Sequence, residues 1–330
     1  MIRTNTKRIL LTGAGGAATL EIIRSLQRTS RYELIGADAY RYSAGFPLLC
    51  RGYVVPFGAS PEFSGAMRKL LDLERPDAVV PLVDEEIPVV HALVSGHFPG
   101  TVVIAPRLEF CTQAMDKWAM AEAMRLAGLA TARTWLASGA RDWPYPAVIK
   151  PRTGRGSRGL ASLERPEDFE NYLRKASRGA DQYVVQERLS GVEFTTSVVV
   201  TLDGRLLAVV PKEAVEKRGI TRVGITRVVP AIDELCAGIQ ERLQANGPFN
   251  VQLVLDKDGI PKVFEVNPRY STTTALTIAA GIDEVDAVIR SAFGEKVEPL
   301  HYRPGVMMIR HETQFFTDEL AWSPRQADKL

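Results

Sequence analysis

Cysteine and histidine are scarce in this sequence, and neither occurs in a metal-binding pattern. Of 330 residues, 3 are cysteine and 4 are histidine. Cys50, Cys111 and Cys236 lie far apart and show neither CxxC nor His-rich spacing, which argues against a zinc site or a disulfide framework. We therefore expect a reducing compartment, the cytoplasm.

Long hydrophobic runs are also missing. No window approaches the roughly 18 uncharged apolar residues that indicate a membrane-spanning helix, so no membrane span is expected. The apolar run Ile9–Leu11 follows a polar, basic start and is too short for the core of a signal peptide. We therefore do not expect secretion.

The sequence has no marked excess of one charge sign and no polybasic run. Its 41 Lys and Arg residues against 39 Asp and Glu residues give a net charge of +2, which does not favour nucleic acid or an anionic membrane as a partner. With 45% hydrophobic and 24% charged residues, the composition is typical of a globular protein. The length allows one large domain or two to three small ones.

The first third alternates short apolar runs with helical patterns. Strands are predicted at 8–11, 32–38, 52–56, 78–82 and 101–105, and helices at 17–28 and 62–73. Strands that alternate with helices of this length predict a doubly wound parallel sheet.

A different pattern begins near Glu109. A helix is predicted at 116–127 and a strand at 147–149, and two later strand pairs, 194–202 with 205–210 and 250–255 with 262–266, flank glycine-containing turns. The sequence thus predicts a parallel α/β domain followed by an α+β domain with antiparallel sheet. The tail from about His311 carries little pattern and is expected to be a docked or frayed terminus.

The turn after the first strand contains small residues. Residues 13–18, GAGGAA, fit the pattern G-x-G-x-x-A, and Asp38 ends the second predicted strand. This pattern is typical of dinucleotide binding, in which the acidic residue holds a ribose. Because any doubly wound sheet needs small residues at this turn, an NAD(P)-dependent oxidoreductase and a purely structural turn both stay open.

A second glycine-rich segment, residues 153–159, follows the strand that ends at Lys150. Backbone amides of such a loop can surround phosphates, and Lys150 is well placed to join them. Lys117 lies in the first turn of the helix that Asp116 is expected to cap, where a cation opposes the helix dipole unless a phosphate binds nearby. A solvated loop and a tolerated surface lysine are the alternatives.

The hairpin formed by 250–255 and 262–266 carries oxygen-bearing side chains. Pairing of Leu255 with Lys262 would place Gln252 opposite Glu265, and Asn267 lies on the same strand face as Glu265. Oxygen ligands of this kind suit Mg²⁺. Phe264 is expected to face a core, and a hairpin with a solvated polar face is the alternative.

Two further positions complete the candidate cleft. The extended segment 184–193 could present its backbone to an adenine edge, and Glu193 could accept hydrogen bonds from a ribose. In the preceding hairpin, pairing of Leu202 with Arg205 would place Lys212 opposite Thr195, on the face of Glu193. Lys212 would then be a second cation for the same cleft.

These elements, in this order, resemble the ATP-grasp superfamily over essentially the whole chain, and most closely its carbamoyl-phosphate-synthase-like members. The resemblance implies a Rossmann-like pre-ATP-grasp domain at 1–108 and an ATP-grasp domain at 109–310, followed by a tail at 311–330. Within the ATP-grasp domain it implies a small lid subdomain at about 117–190 and an antiparallel-sheet subdomain at about 191–310. The N-terminal sheet would then help to form the acceptor site.

The resemblance also implies a role for each matching residue. Lys117 and Lys150 would bind the nucleotide phosphates, and Arg269 would lie near the transferred phosphate. The remaining implied positions are a flap over the triphosphate (Gly154, Gly156, Ser157, Gly159), adenine contacts (Gln186, Glu187, Leu189), the ribose carboxylate (Glu193) and ligands of Mg²⁺ or Mn²⁺ (Gln252, Glu265, Asn267). Gln252 stands where other branches often have a carboxylate.

The expected activity is an ATP-dependent, ADP-forming carboxylate–amine ligase that acts through an acyl phosphate, with Arg269 and Lys212 as catalytic residues. Its partners would be a small carboxylate, an amine or similar nucleophile and, in a homodimer, a second copy. Carbamoyl phosphate is not the expected product, because Ser271–Thr274 replaces a more basic stretch and only one ATP-grasp unit is present. The segment 213–226 is basic, with Lys217, Arg218 and Arg222, and is expected to be a loop that could hold an acidic substrate; a solvated charged loop is the alternative. The oxidoreductase and a nucleotide-binding module without turnover remain the alternatives.

Overall fold

The computed structural model describes residues 6–156, 158–312, 314–318, 322 and 324–326. A parallel sheet forms the N-terminal part, and its strands lie in the order β3-β2-β1-β4-β5. The strands are β1 (Lys7–Thr12), β2 (Tyr32–Asp38), β3 (Arg51–Val54), β4 (Ala78–Val80) and β5 (Val102–Val103), and the helices are α1 (Thr19–Arg28), α2 (Phe63–Glu74) and α3 (Ile87–His97).

The central strands of this sheet are buried on both faces, as the run of apolar residues in β1 predicts. On one face, Ile9 and Leu11 pack with Ile22 and Leu26 of α1. On the other face, Leu10 packs with the helices α2 and α3. The two layers hold the carboxyl ends of β1, β2 and β4 at one edge, where ligands of such sheets bind.

A small antiparallel sheet follows, with the order β6-β9-β7-β8. It contains β6 (Thr134–Leu136), β7 (Ala147–Pro151), β8 (Ala161–Leu163) and β9 (Tyr183–Glu187), together with the helices α4 (Leu108–Met115), α5 (Lys117–Leu126) and α6 (Pro166–Lys175). The predicted cap of α5 is confirmed, because the Asp116 side chain accepts hydrogen bonds from the backbone of Trp118 and Ala119. This cap fixes Lys117 in the first turn.

The larger antiparallel sheet has the order β14-β13-β10-β11-β12-β15. Its strands are β10 (Val192–Val200), β11 (Leu206–Arg218), β12 (Ile220–Thr226), β13 (Phe249–Leu255), β14 (Pro261–Asn267) and β15 (Met307–Ile309), and its helices are α7 (Pro230–Arg242), α8 (Thr274–Ala279) and α9 (Glu284–Ala292). Helix α7 packs on one face with Phe249, Val251 and Leu253 of β13.

The expected loop at 213–226 is wrong. Strand β11 continues to Arg218 and turns at Gly219, whose φ of 72° is a left-handed conformation that favours glycine, into β12. Irregular pairing between Ala214 and Lys217 interrupts the alternation of inward and outward residues. Because of this interruption and the charged side chains, the segment lacks the alternation of apolar and polar residues by which a strand is predicted.

The hairpin of β13 and β14 confirms one predicted pairing and corrects another. Gln252 pairs with Glu265 as predicted, but Leu255 pairs with Pro261 instead of Lys262. A bulge leaves Phe264 without a partner between these two pairs. The Phe264 side chain therefore lines a cavity and does not face the predicted core. In the preceding hairpin, the predicted pairing of Thr195 with Lys212 is confirmed, but the predicted pairing of Leu202 with Arg205 is wrong. The register shifts between Val199 and Val200, and the Thr201 backbone nitrogen donates to the Arg205 oxygen.

Part of the tail returns to the N-terminal sheet. Arg325–Gln326 forms β16, which pairs in parallel with β3 through Arg325 and Tyr53. Trp322 stacks on Tyr42 with ring centroids 6.2 Å apart. These described residues of the tail are therefore docked. Within the described parts of the chain, no helix is long and apolar enough to cross a membrane.

Candidate active site

A cavity of about 250 Å³ lies between the small sheet and the larger antiparallel sheet. It collects residues from β7, β9, β10, β13 and β14 and from the first turn of α5. Predicted positions that line it are Lys117, Lys150, Gly154, Gln186, Glu187, Leu189, Glu193, Gln252 and Glu265. We call it the first cavity.

Two lysines form its cationic side. The Lys117 ammonium lies 3.3 Å from a Glu265 oxygen and donates to the backbone oxygen of Gly154 at 2.7 Å. Lys150, only 7% exposed, donates to the Gln186 side chain at 2.9 Å and to the backbone oxygen of Phe264 at 3.1 Å. Burial lowers the pKa of Lys150 to about 8, because its charge is only weakly compensated inside the protein. An anion in the cavity would stabilise the charged form of Lys150.

Gln252 and Glu265 are paired across β13 and β14, and both line the cavity. Lys217, which the sequence interpretation left in a basic loop, is ion-paired with Glu193 and lies 3.3 Å from the Gln252 oxygen. Its ammonium also lies 5.7 Å from the centre of the Phe264 ring. The bulge in β14 brings Phe264 into the cavity, and the extension of β11 brings Lys217 there. Neither feature can be seen in the alternation of apolar and polar residues along the sequence.

The third predicted metal ligand is set back from the cavity. Asn267 is largely buried, and its amide donates to the Asn250 side chain at 3.4 Å. Within the described residues, no group of three or more His, Cys, Asp and Glu side chains could hold a metal ion. The oxygen donors of Gln252 and Glu265, which line the cavity, nevertheless fit Mg²⁺, which needs only one or two carboxylates when phosphates and water complete its shell.

The positions predicted for adenine have their side chains engaged within the protein. Gln186 is buried, and its amide nitrogen donates to the Thr134 hydroxyl at 3.0 Å. The Glu187 carboxylate accepts hydrogen bonds from the backbone and the guanidinium of Arg133 at 2.9 and 3.1 Å. These hydrogen bonds hold the end of β9 beside the cavity and position the backbone that continues to Leu189.

The glycine-rich segment crosses from the first cavity toward the N-terminal sheet. Gly154, Gly156 and Gly159 have φ values of 115°, 71° and 72°. Arg155 is ion-paired with Glu85, 2.9 Å away, and so links the segment to the loop after β4. Gly156 and Gly159 do not belong to the lining residues of the first cavity within the described chain, and Ser157 lies outside the described residues.

The two residues predicted to be catalytic lie outside the first cavity. Lys212 is only 1% exposed and donates to the hydroxyls of Ser197 and Thr277 at 2.6 and 2.8 Å. Burial lowers its pKa to about 8, and Glu284 partly opposes that effect. Arg269 binds Asp84 with two hydrogen bonds of 2.7 and 3.0 Å, a bidentate pair that fixes the guanidinium plane.

Arg269 lines a second cavity of about 590 Å³, between the N-terminal sheet and the segment after β14. Arg155 and Arg158 line both cavities, so the two spaces share one wall. The second cavity is also lined by Gly13, Gly15, Gly16, Asp38, Glu85, Glu86, Ser271 and Thr272.

The small-residue turn after β1 is closed by its own acidic partner. The Asp38 carboxylate accepts a hydrogen bond of 2.7 Å from the Gly15 backbone and a second from the Tyr40 backbone. These two hydrogen bonds hold the turn in place, as the structural interpretation of this segment predicts.

Comparison with known proteins supports the fold. Residues 180–315 match the family model described as ATP-grasp in the biosynthetic pathway with Ter operon. Among solved structures, the biotin carboxylase domain of Hydrogenobacter thermophilus 2-oxoglutarate carboxylase, a dimer in complex with MgADP, ADP and bicarbonate, is similar. It gives a TM-score of 0.73 at 18% identity over 91% of this chain and 72% of that one.

Two further solved structures have a similar fold. L-amino acid ligase from Bacillus licheniformis gives a TM-score of 0.69 at 18% identity, over 87% of this chain and 74% of that one. N5-carboxyaminoimidazole ribonucleotide synthetase from Thermotoga maritima gives 0.68 at 18% identity, over 90% and 78%. The chain has the ATP-grasp fold with an N-terminal parallel sheet, and the predicted resemblance to the ATP-grasp superfamily is confirmed.

Proposed function

We propose that the protein is an ATP-dependent, ADP-forming ligase that joins a small carboxylate to an amine or similar nucleophile through an acyl phosphate. The observation that carries the proposal is the arrangement of the two cavities. Lys117, Lys150 and Glu265 surround the first, Arg269 lines the second, and the arginines of the glycine-rich segment lie between them.

In this proposal the first cavity holds ATP, with Glu193 near the ribose and Lys117 and Lys150 on the phosphates. Gln252, Glu265 and Asn267 would hold Mg²⁺, which supplies charge neutralisation at the outer phosphates. The ion pairs seen here, Lys117 with Glu265 and Lys217 with Glu193, then exchange part of their partners for phosphate oxygens and hydroxyls. The protein contributes positioning and preorganised charge.

The phosphoryl group is transferred at the boundary between the cavities. Arg269, held by Asp84, stabilises the transferred group as the carboxylate oxygen attacks the γ-phosphorus and ADP leaves. The acyl phosphate is then attacked by the amine, its carbon–oxygen bond to phosphate breaks, and inorganic phosphate leaves. Two easier steps replace one hard condensation.

A substrate screen tests the proposal. Purified protein with MgATP is incubated with a panel of small carboxylates, each with and without a panel of amines, and ADP is measured. We expect ADP release that requires the carboxylate and increases with the amine. Release of AMP and pyrophosphate with an active pair, or turnover that ignores the carboxylate, would contradict it.

A further inference from the structure

Glu86 is a buried acid that the proposed phosphoryl transfer does not use. It lies at the start of α3, lines the second cavity and is only 4% exposed. Its Oε2 atom has no hydrogen-bond partner among the described residues, whereas the Thr12 hydroxyl is hydrogen-bonded to the carboxyl group. A buried carboxyl oxygen without a donor costs free energy, so its retention at a cavity wall points to a ligand that supplies the donor.

The surrounding backbone leaves room for this carboxyl group. A Cβ atom at Gly58 would lie 2.7 Å from Cγ of Glu86 and 3.2 Å from its backbone nitrogen, so a larger residue would displace Glu86. Gly58 itself lines the second cavity. The position of the acid is therefore built into the fold.

The charged groups around Glu86 belong to three different segments. Asp38 at the end of β2 and Glu85 in the adjacent turn disfavour its ionised form, and Arg155 from the glycine-rich segment favours it. Burial is the largest effect, and together these influences raise the pKa of Glu86 to about 7. A carboxyl group that titrates near neutral pH can both accept and release a proton in a catalytic cycle.

The second cavity is lined by groups of both charge signs. They are the carboxyl groups of Asp38, Glu85 and Glu86 and the guanidinium groups of Arg155, Arg158 and Arg269. Asp38 and Glu85 are engaged with the Gly15 backbone and with Arg155. Glu86 is the one of these three acids whose carboxyl group keeps an unpartnered oxygen among the described residues, so it is the acid best suited to receive a cation.

We propose that Glu86 binds the ammonium group of the acceptor amine and removes its proton before attack on the acyl phosphate. The inference rests on the proposed ligase function. The acceptor is then a primary amine that enters as a cation. One ammonium proton moves to the Glu86 carboxylate, the new nitrogen–carbon bond forms, and the bond from that carbon to the phosphate oxygen breaks. The leaving phosphate takes the second proton that the nitrogen loses as the amide forms, so the products are the amide and hydrogen phosphate. Glu86 afterwards returns the proton to water.

The first test measures amine binding without turnover. L-alaninamide, which carries an ammonium group and no carboxylate, is titrated into the wild-type protein, Glu86→Gln and Glu109→Gln in the absence of ATP. Glu109 is an exposed glutamate outside both cavities, so its variant makes the same substitution away from the proposed site. We expect binding to the wild type and to Glu109→Gln, and binding at least tenfold weaker to Glu86→Gln.

A second test separates proton removal from binding. Hydroxylamine is uncharged at neutral pH and needs no base to attack an acyl phosphate. With an active carboxylate, Glu86→Gln should keep hydroxamate formation and lose amide formation from an alkylammonium acceptor by about 100-fold, the range expected for a missing general base. Equal loss of both products would show a structural role and would overturn the inference.

The two tests also separate this inference from the ligase proposal. If no carboxylate supports ADP release, the proposed function fails, and the L-alaninamide titration still decides whether Glu86 binds an amine. No binding of L-alaninamide to the wild type, or equal binding to the wild type and Glu86→Gln, would overturn the inference even if ligase activity is found.

Discussion

The two cavities differ in how their charges are compensated. In the first cavity, flexible lysines pair with carboxylates of the same space, as Lys117 does with Glu265 and Lys217 with Glu193. In the second, arginines are fixed by acids of the N-terminal region, as Arg269 is by Asp84. Lysine pairs can be exchanged for phosphate contacts at little geometric cost, whereas bidentate arginine pairs hold one orientation.

This difference indicates a division of tasks. In the first cavity, the paired lysines and carboxylates can exchange their partners when an anionic, metal-bound ligand enters. The second holds a fixed arginine and one free acid oxygen, an arrangement suited to orienting two reacting groups. The predictions below therefore disturb one cavity at a time, from the largest expected effect to the smallest.

Removal of the carboxylate of the first cavity should have the largest effect. Glu265→Ala should lower turnover by about 1000-fold or more, because the only carboxylate of the Gln252, Glu265 and Asn267 set is lost. The fold should be kept, since the Glu265 side chain lines the cavity and pairs there with Lys117. Steady-state turnover and circular dichroism are the measurements. Full Mg²⁺-dependent turnover by this variant would remove Glu265 from the metal site.

Disturbing the fixed arginine of the second cavity should affect the chemical step more than nucleotide binding. Arg269→Ala should lower kcat by roughly 100-fold, since it removes one preorganised charge from the transferred group, with a smaller change in KM for ATP. Asp84→Asn should give a weaker effect in the same direction, because the guanidinium keeps its charge and loses its bidentate partner. A rise in KM for ATP with unchanged kcat would move Arg269 to nucleotide binding.

The buried lysine of the first cavity should make nucleotide binding depend on pH. The pKa of Lys150 is lowered to about 8 in the free protein, so above pH 8 the side chain is mostly neutral. Bound phosphates favour the charged form, and an ATP analogue should therefore bind with proton uptake at pH 8.5 and with decreasing affinity as the pH rises. Calorimetry in two buffers of different ionisation enthalpy measures the uptake.

The control for this prediction is a second buried lysine with a similar pKa. Lys150→Met should remove most of the proton uptake, and Lys212→Met should retain it, because Lys212 lies behind the cavity wall. Equal uptake by the wild type and Lys150→Met would contradict the assignment of the proton to Lys150.

The smallest expected effect concerns the segment shared by the two cavities. Backbone amides of Gly154, Arg155 and Gly156 should exchange hydrogen more slowly with an ATP analogue bound, because phosphate contacts would offset the conformational freedom of the glycines. The comparison is hydrogen exchange with and without the analogue, with the amides of α7 as an internal control. Unchanged exchange would count against a phosphate-binding flap.

Local signals in the sequence predicted much of the first cavity. The Asp116 cap placed Lys117, and strand alternation placed Gln252 opposite Glu265. That pairing survives although the assumed pair of Leu255 and Lys262 is wrong, because the bulge at Phe264 shifts the register by one residue between the two. A bulge depends on long-range packing and leaves no alternation signal.

The sequence predicts much less of the second cavity. Helix α3 was not predicted, because its nearly continuous apolar residues show no amphipathic stripe. Glu86 at its start was therefore not recognised, although the acidic run Asp84–Glu86 after a buried strand was a usable signal. The sequence assigns Lys217 to a basic loop for an acidic substrate, whereas the structure places it in the first cavity. Its position depends on a strand that irregular pairing interrupts.

The central claim is that a substrate carboxylate attacks the γ-phosphorus of ATP at the boundary between the two cavities. Once an active pair is found, the reaction is run with a carboxylate labelled with ¹⁸O, and the phosphate produced is examined by phosphorus NMR. We predict ADP and inorganic phosphate that carries one ¹⁸O atom from the carboxylate. Unlabelled phosphate, or AMP with pyrophosphate, would contradict the acyl-phosphate mechanism.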